Sequence, residues 1–326
     1  MTANAPLIPF SEATKVKYLG VRSYSANILD AFSVGQVPHG GYLATCILEA
    51  AREHMKPRNQ PDAFCAHFEF LDRTEPGPAI ILIEDVKFGQ QLSTIHLTLY
   101  QHGFLTEAPW VTLNLSRKKI VAYVTCTDIR AQSGLSLPTS FALDPPPAPI
   151  DLDKASKHEA DDNWVPYASR SLEKAHFKVR LWDNLEFYVP LRGQPSRSVV
   201  DVWLRLTCGE RFTNSSLAFV ADAWAHLVEG FRALPGQEPD SMTFPATDVH
   251  WYPTVAFNLD LKKGVPTEGA DWLRMRVIAK DIRNGKLDME TLIYDKDGDI
   301  VALSNHVNLI LSADRNLAKR KSKSHL

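Results

Sequence analysis

Two apolar helical segments, each accompanied by strand-like segments, constrain the fold of this chain more than any other feature. The first spans 40–54, stays apolar for three turns and then becomes charged, and Pro57 prevents its continuation. The second spans 217–230, and polar residues at 214–216 are predicted to cap its first turn. A helix that is apolar around most of its circumference must be surrounded by other structure. The sequence therefore predicts two buried helices, each wrapped by a sheet.

Segments rich in β-branched and aromatic residues, separated by Pro, Gly or polar breaks, predict strands around both helices. They cover 66–71, 79–87, 93–101, 121–127, 177–189, 199–206, 254–261, 272–281, 286–294 and 300–311. The acidic turn at 295–299 is typical of a hairpin. Helices followed by runs of antiparallel strands indicate an α+β fold rather than alternating βαβ units.

The same order of elements occurs twice, which predicts an internal repeat. Residues 1–133 form the first predicted domain and 167–314 the second. Between them, 134–166 contains three successive prolines at 145–147, which predicts an extended linker. Residues 315–326 form a basic tail.

Composition limits the classes of function. An apolar fraction of 44% and a net charge of −2 suit a globular protein and do not suggest nucleic acid as a partner. The four scattered cysteines predict neither a disulfide framework nor a metal site. No run approaches eighteen apolar residues and no secretory signal opens the chain, so we expect no membrane span.

The last three residues, Ser324, His325 and Leu326, are a close variant of the Ser-Lys-Leu peroxisomal signal. The preceding basic residues favour an extended tail that an import receptor can bind. The sequence thus predicts a peroxisomal location, the alternative being a basic tail that ends in leucine by chance.

Asp222 is the most conspicuous candidate for chemistry, because it lies in the middle of the second apolar helix. A charge in such a segment is rarely buried without partners. The alternative is an exposed stripe that Asp222 shares with His226, one turn further along. Motifs for other chemistries are missing: the sequence has no GxSxG elbow and no glycine-rich phosphate loop.

Several short motifs together resemble the acyl-CoA thioesterase II family. They are Gly40-Gly41-Tyr42-Leu43-Ala44, Phe88-Gly89-Gln90-Gln91-Leu92-Ser93-Thr94-Ile95, Val220-Ala221-Asp222-Ala223-Trp224, Tyr252-Pro253-Thr254-Val255-Ala256 and the segment 297–306. Their order agrees with the family's over about residues 20 to 312. The resemblance implies a double hotdog, in which each of two repeats wraps an antiparallel sheet around a long central helix. It also implies hydrolysis of an acyl-CoA or related thioester without metal or cofactor.

Carried over from the family, the catalytic residues are Asp222, Thr254 and His306. The family's third residue is glutamine, so His306 is a departure. A neutral histidine can donate one hydrogen bond to water as glutamine does, or act as a base oriented by Asp222. The exchange is equally compatible with altered or lost activity. The second hypothesis is therefore a hotdog protein that binds an acyl or polyketide intermediate of a secondary-metabolite pathway without hydrolysing it.

Residues at the two helix starts are the predicted substrate-binding set. His39, Gly40, Gly41 and Ser215 precede or open the helices, where backbone amides can polarise a thioester carbonyl. Glu49 corresponds roughly to Asp222 on the first helix, but it lies at the charged end, where a solvated carboxylate is expected. Sheet packing between hotdogs makes a homodimer a further expectation.

Overall fold

A computed structural model describes residues 7–112, 114–167 and 179–317, and it is built mainly from antiparallel strands. The strands are β1 (Val16–Gly20), β2 (Ser23–Ile28), β3 (Ser33–Val34), β4 (Val37–Pro38), β5 (Asp62–Phe70), β6 (Gly77–Lys87), β7 (Ser93–Gln101), β8 (Arg117–Thr127), β9 (Trp164–Pro166), β10 (Leu185–Pro190), β11 (Val199–Leu206), β12 (His250–Trp251), β13 (Thr254–Leu261), β14 (Leu273–Arg283), β15 (Lys286–Tyr294), β16 (Ile300–Leu309) and β17 (Leu311–Ser312). The helices are α1 (Phe10–Ala13), α2 (Gly40–Met55), α3 (Leu152–Ser156), α4 (Leu217–Asp222) and α5 (Asp314–Leu317). Single 3₁₀ turns lie at Asp30–Phe32, Lys56–Arg58, Arg180–Asn184 and Leu227–Phe231. The predicted α+β class is confirmed.

Thirteen of the described strands form one continuous sheet, in the order β1-β2-β6-β7-β8-β5-β13-β16-β15-β14-β11-β10-β9. Strands β5 and β13 join the two repeats, and the rings of Phe68 and Phe257 stack across this junction at 4.7 Å. Outward from the junction, each repeat adds its next three strands in the same order, as β8, β7, β6 and as β16, β15, β14. The repeat predicted from the sequence is therefore present in the strand topology.

Helix α2 is buried as its sequence predicts. His39 caps it, because its ring Nδ1 accepts a hydrogen bond from the Tyr42 amide, and eleven of the sixteen helical residues are buried. Burial of this many apolar side chains is the main stabilising contribution of such a helix. The helix ends at Met55, ahead of Pro57.

The second helix is much shorter than predicted. Helix α4 stops at Asp222, and turns followed by the 3₁₀ segment Leu227–Phe231 replace its expected continuation to 230. The backbone carbonyls at its end accept hydrogen bonds from side chains, Ala221 O from Thr291 Oγ1 at 3.2 Å and Asp222 O from His39 Nε2 at 3.0 Å. The last carbonyls of a helix need hydrogen-bond partners from outside the helix. Thr291 and His39 supply them, so α4 can end at Asp222.

The predicted cap at 214–216 is also wrong. Ser216 is the N-cap residue of α4, yet its hydroxyl bonds the backbone of Thr213 rather than an amide of the helix. The Asn214 side chain bonds Asp62 on β5 and the Val265 amide. These side chains fix the entry to α4 by contacts outside the helix.

The predicted linker has structure in its second half. Helix α3 and strand β9 lie within 134–166, and β9 pairs with β10 at the edge of the large sheet. The buried residues Ala155, Trp164, Tyr188, Trp203 and Trp272 form a small apolar cluster beneath it. Linker residues therefore cover part of the second repeat instead of merely spanning the two repeats.

Two predictions fall partly or wholly outside the described residues. The start of the strand expected at 177–189 is not described, and the described part forms a 3₁₀ turn and then β10. The peroxisomal signal Ser324, His325 and Leu326 also lies outside the described residues. Among the helices that are described, none has the length and apolar character needed to cross a membrane.

Candidate functional site

The carboxylate of Asp222 lies at the C-terminal end of α4, against the N-terminal end of α2. Its side chain is only 2% exposed. Asp222 Oδ2 accepts a hydrogen bond from the Gly41 amide at 2.8 Å. The positive end of a buried helix dipole stabilises an anion placed in this way. The alternative prediction, an exposed stripe of Asp222 and His226, is wrong.

The close approach of the two helices explains the glycine pair. A Cβ atom on Gly41 would lie 2.6 Å from Ala218 O and 2.8 Å from Asp222 Cβ. A Cβ atom on Gly40 would lie 2.9 Å from Asp222 Oδ2. Glycine is the residue that permits such contact between backbones. The motif at the start of α2 thus places its first amides next to Asp222.

His39 holds Asp222 from the other side. Because His39 Nδ1 accepts from the Tyr42 amide, its proton lies on Nε2. That Nε2 donates to the Asp222 backbone oxygen at 3.0 Å and lies 3.2 Å from Asp222 Oδ2. His39 is therefore both the cap of α2 and a clamp on Asp222.

Thr254 completes the hydrogen bonds of the carboxylate. Its hydroxyl donates to Asp222 Oδ1 at 3.1 Å, from the first residue of β13. The Asn308 side chain donates from Nδ2 to Thr254 Oγ1 at 3.1 Å, from the neighbouring strand β16. Because Asn308 occupies one lone pair of the hydroxyl, it helps to direct the hydroxyl proton towards Asp222. The sequence reasoning did not identify Asn308.

His306 lies behind Asp222 and not in the wall of the cavity. Its Nδ1 is 3.6 Å from Asp222 Oδ1, and its ring stacks on Phe257 with centroids 4.8 Å apart. Burial lowers the pKa of His306 from 6.5 to about 4, while the Asp222 charge raises this pKa and His39 lowers it. His306 is therefore neutral near pH 7. It cannot directly hold a water in the cavity, contrary to one of its two predicted roles.

The site opens into a cavity of about 630 Å³. Asp222, Thr254, His39 and Gly40 form part of its wall. Most of the remaining lining is apolar or aromatic: Val34, Val37, Pro38, Leu43, Phe70, Leu71, Val179, Leu181, Trp182, Ala223, Ala225, Trp251, Tyr252, Pro253, Val255, Leu309 and Leu311. A largely apolar cavity with a few convergent polar groups is the usual form of a small-molecule site.

Ser215 is the one predicted site residue that the structure places elsewhere. It lies at the opposite end of α4 from Asp222 and lines a second cavity, of about 830 Å³, together with Glu49. Glu49 pairs with Arg52, and its side chain is 16% exposed, which is less than the solvated carboxylate that the sequence predicts. Ser215 is therefore too far along the helix to contact a ligand bound at Asp222.

The other six predicted residues converge, although their roles remain predictions. Asp222, Thr254 and His39 form one hydrogen-bonded group with the start of α2, and His306 lies just behind it. Asn308 and Ser304, which the sequence reasoning missed, alternate with His306 along β16. Polar residues at three consecutive inward positions of a buried strand were the available signal.

The arrangement can activate a water at the cavity wall. An acceptor-rich carboxylate next to an oriented hydroxyl can hold a water and take its proton. Amides at the start of a sixteen-residue helix can stabilise a developing oxyanion. Among the described residues, no cluster of three or more His, Cys, Asp or Glu side chains could hold a metal ion.

Comparisons with known proteins agree with this geometry. Residues 29–127 match the family model of the acyl-CoA thioesterase N-terminal domain, and residues 149–310 match that of the C-terminal domain. The thioesterase-like protein TwmA of Talaromyces wortmannii is 42% identical over 335 aligned positions, covering 97% of this chain and 95% of TwmA. The ustilagic acid biosynthesis cluster protein orf2 of Mycosarcoma maydis is 37% identical over 70 residues, which cover 21% of this chain and 18% of that protein.

Two solved structures share the fold. A hot dog fold protein of Alicyclobacillus acidocaldarius has a TM-score of 0.68 at 17% identity, covering 93% of this chain and 98% of its own. The acyl-CoA thioesterase II TesB2 of Mycobacterium marinum has a TM-score of 0.59 at 16% identity, again covering 93% and 98%. The predicted double hotdog is confirmed, and the chain belongs to the acyl-CoA thioesterase II-like family.

Proposed function

We propose that this protein hydrolyses an acyl-CoA or related acyl thioester, using a water held by Asp222 and Thr254. One observation carries the proposal above others. A buried carboxylate and an oriented hydroxyl, joined at 3.1 Å, meet the wall of a largely apolar cavity beside the start of a buried helix. An apolar cavity suits an acyl chain, and the helix start suits a thioester carbonyl.

In the proposed reaction the oxygen of the water attacks the thioester carbon while Asp222 takes a proton from that water. The carbonyl electron pair moves to oxygen and forms a tetrahedral oxyanion. Collapse of this intermediate breaks the carbon–sulfur bond, and the proton held by Asp222 passes to the departing thiolate. The products are a free acid and a thiol, and no further reactant is needed.

The Gly40 amide is the candidate oxyanion donor. The Gly41 amide, predicted to polarise the carbonyl, is bonded to Asp222 Oδ2 instead. Gly40 is the first residue of α2 and lines the cavity, so its amide lies at the positive end of the helix. If the thioester carbonyl binds the Gly40 amide, Asp222 Oδ1 can still accept a proton from the water.

The phosphates of CoA need cations outside the apolar part of the cavity. Arg73 and Arg315 belong to the cavity lining, and Arg315 is exposed on α5. Arginine forms geometrically well-matched hydrogen bonds to phosphate. We place the CoA end of the substrate near these residues and the acyl chain against the apolar wall.

The test is thiol release from a panel of acyl-CoAs, with Thr254→Ser and Thr254→Val as a matched pair. Serine keeps the hydroxyl, whereas valine keeps the shape and removes it. We expect Thr254→Ser to retain much of the activity and Thr254→Val to lose about 10²-fold in kcat/KM. Equal activity of the two variants would contradict a role for the hydroxyl in holding the water.

One observation favours the non-hydrolytic alternative: His306 stands where the family has glutamine. The similarity to a protein of a biosynthesis cluster is also compatible with a protein that binds a pathway intermediate. Under this alternative the wild-type protein binds acyl thioesters, including polyketide-type acyl groups presented as CoA or N-acetylcysteamine thioesters, but releases no thiol. Calorimetric binding with no thiol release over the whole panel would replace the hydrolase proposal with this one.

A further inference from the structure

Strand β16 carries an unusual row of buried polar side chains behind Asp222. Ser304, His306 and Asn308 occupy alternate positions that face the interior, and each is at most 1% exposed. Interior positions of a sheet are usually apolar because buried polar groups need hydrogen-bond partners. His306 faces the Asp222 carboxylate directly, and Ser304 bonds His306. Asn308 is linked to the same carboxylate through the Thr254 hydroxyl.

Hydrogen bonds in this row determine which nitrogen of His306 carries the proton. The Ser304 hydroxyl donates to the Asn258 backbone oxygen at 2.6 Å, so its single proton is already used. Ser304 Oγ therefore accepts from His306 Nε2, 2.8 Å away. Because burial keeps the ring neutral, Nδ1 has no proton, and within the described residues this nitrogen has no hydrogen-bond partner.

The bare Nδ1 faces an oxygen that is also an acceptor. Asp222 Oδ1 lies 3.6 Å from His306 Nδ1, so two lone pairs oppose each other with no proton between them, and the distance is longer than a hydrogen bond. A glutamine at this position would present an amide N–H to the carboxylate. Histidine in this tautomer does the opposite, because it withholds a donor and offers an acceptor.

We propose that His306 is a positioning residue that accepts a hydrogen bond from Asp222 once Asp222 has taken the proton of the attacking water. The inference rests on the hydrolysis proposed above and adds the role of the residue that departs from the family pattern. When Oδ1 of Asp222 becomes protonated, the new O–H turns towards His306 Nδ1, and a small approach of the two side chains converts a repulsive contact into a hydrogen bond. On collapse of the tetrahedral intermediate, the same proton passes from Asp222 to the thiolate sulfur.

The surroundings of the ring contain few groups that could produce the same effect. Within the part of the chain that the structure describes, the titratable groups that act on His306 are Asp222 from α4 and His39 from the start of α2. From the neighbouring strands, Phe257 on β13 and Met289 on β15 stand opposite it, and neither titrates. A change in pH dependence on mutation of the row therefore reports on Asp222 and His306.

The first experiment measures the tautomer in the resting protein. Histidine side chains labelled with ¹⁵N are observed by NMR, and the His306 signals are assigned from their loss in His306→Gln. We expect a neutral ring with its proton on Nε2 from pH 7 down to about pH 5. A ring protonated on Nδ1 at pH 7 would overturn the inference. This measurement needs no activity, so it remains decisive if the wild-type protein hydrolyses nothing and the proposed function fails.

The second experiment measures the acidic limb of the kcat/KM profile for the best substrate. His306→Gln directs an amide donor at Asp222 Oδ1, which favours the charged carboxylate, so we expect the limb to move about one unit to lower pH. Ser304→Ala removes the acceptor for Nε2–H and allows the opposite tautomer, so it should move the limb in the same direction. The matched control His96→Gln, on β7 and away from the cavity, should leave the limb in place.

A purely structural role gives a different result. In that case His306→Gln and Ser304→Ala lower the rate at every pH and leave the limb where it is in the wild type, which would refute the inference. Ser304→Ala removes only one oxygen from the row. It therefore keeps the test decisive if His306→Gln does not fold.

Discussion

Replacing Asp222 by asparagine should lower the rate of hydrolysis strongly without loss of stability. The side-chain oxygen of the asparagine can take the place of Oδ2. It can then accept hydrogen bonds from the Gly41 amide, which lies 2.8 Å from Oδ2 in the wild type, and from His39. The side-chain amide nitrogen then takes the place of Oδ1, where it faces Thr254 Oγ1 and the unprotonated Nδ1 of His306. In the wild type this Nδ1 lies 3.6 Å from Oδ1. Both can accept from it.

The magnitude follows from these contacts. One additional hydrogen bond to a buried acceptor that lacked a partner is worth about 1 kcal/mol, or roughly 2 °C in the melting temperature of a chain of this size. The loss of a general base should lower kcat/KM by about 10³-fold. Asp222→Ala is the contrasting variant, because it leaves the Gly41 amide and the Thr254 hydroxyl without their acceptor and should destabilise the fold by about 3 kcal/mol.

Urea unfolding followed by tryptophan fluorescence measures both variants against the wild type. If His306 instead donated from Nδ1 to Asp222, asparagine would place two donors face to face and remove a charge-assisted bond. The cost would then be about 3 kcal/mol. A strongly destabilised Asp222→Asn protein would therefore refute the assignment of protons in the site.

Three further predictions concern other parts of the chain. Burial lowers the pKa of His226 from 6.5 to about 3 and that of His306 to about 4, so the unfolded chain binds more protons in this range. The free energy of unfolding should fall below pH 6.5 by up to about 1.4 kcal/mol per pH unit for each histidine, and His226→Phe should reduce this slope. Arg276 pairs with the buried Asp201 at 2.6 Å and donates to two carbonyls of the linker. Its replacement by methionine should lower the free energy of unfolding by about 3 kcal/mol. Limited proteolysis should then cut the proline-rich segment faster, whereas resistance equal to wild type would contradict the anchoring role. Removal of 324–326 from a fluorescent fusion should abolish peroxisomal import, and unchanged import would exclude this signal.

The sequence was sufficient for the architecture because its strongest patterns are local. The span of α2 follows from an apolar run with a stop at Pro57, and the structure agrees to within a residue. Most strands likewise begin and end within a few residues of their predicted limits. The early strands β1 and β2 were missed, because their segment mixes polar and apolar residues without a clear alternation.

The site was less predictable because its key contacts join distant segments. The end of α4 at Asp222 depends on His39 and Thr291, which are far away in sequence, so the apolar run beyond Asp222 suggested a longer helix. Asp222 accepts a hydrogen bond from the Gly41 amide because α2 and α4 cross at this point. The role of Asn308 depends on the pairing of β13 with β16, where it stands opposite Thr254.

The role of Asp222 in activating water is best measured by thiol release from the same acyl-CoA panel, with the wild type and Asp222→Asn side by side. Both proteins are first shown to melt at similar temperatures and to bind the substrate. We expect release by the wild type and a decrease of about 10³-fold in kcat/KM for the variant. Equal release by the two folded proteins would contradict the claim that Asp222 activates the water.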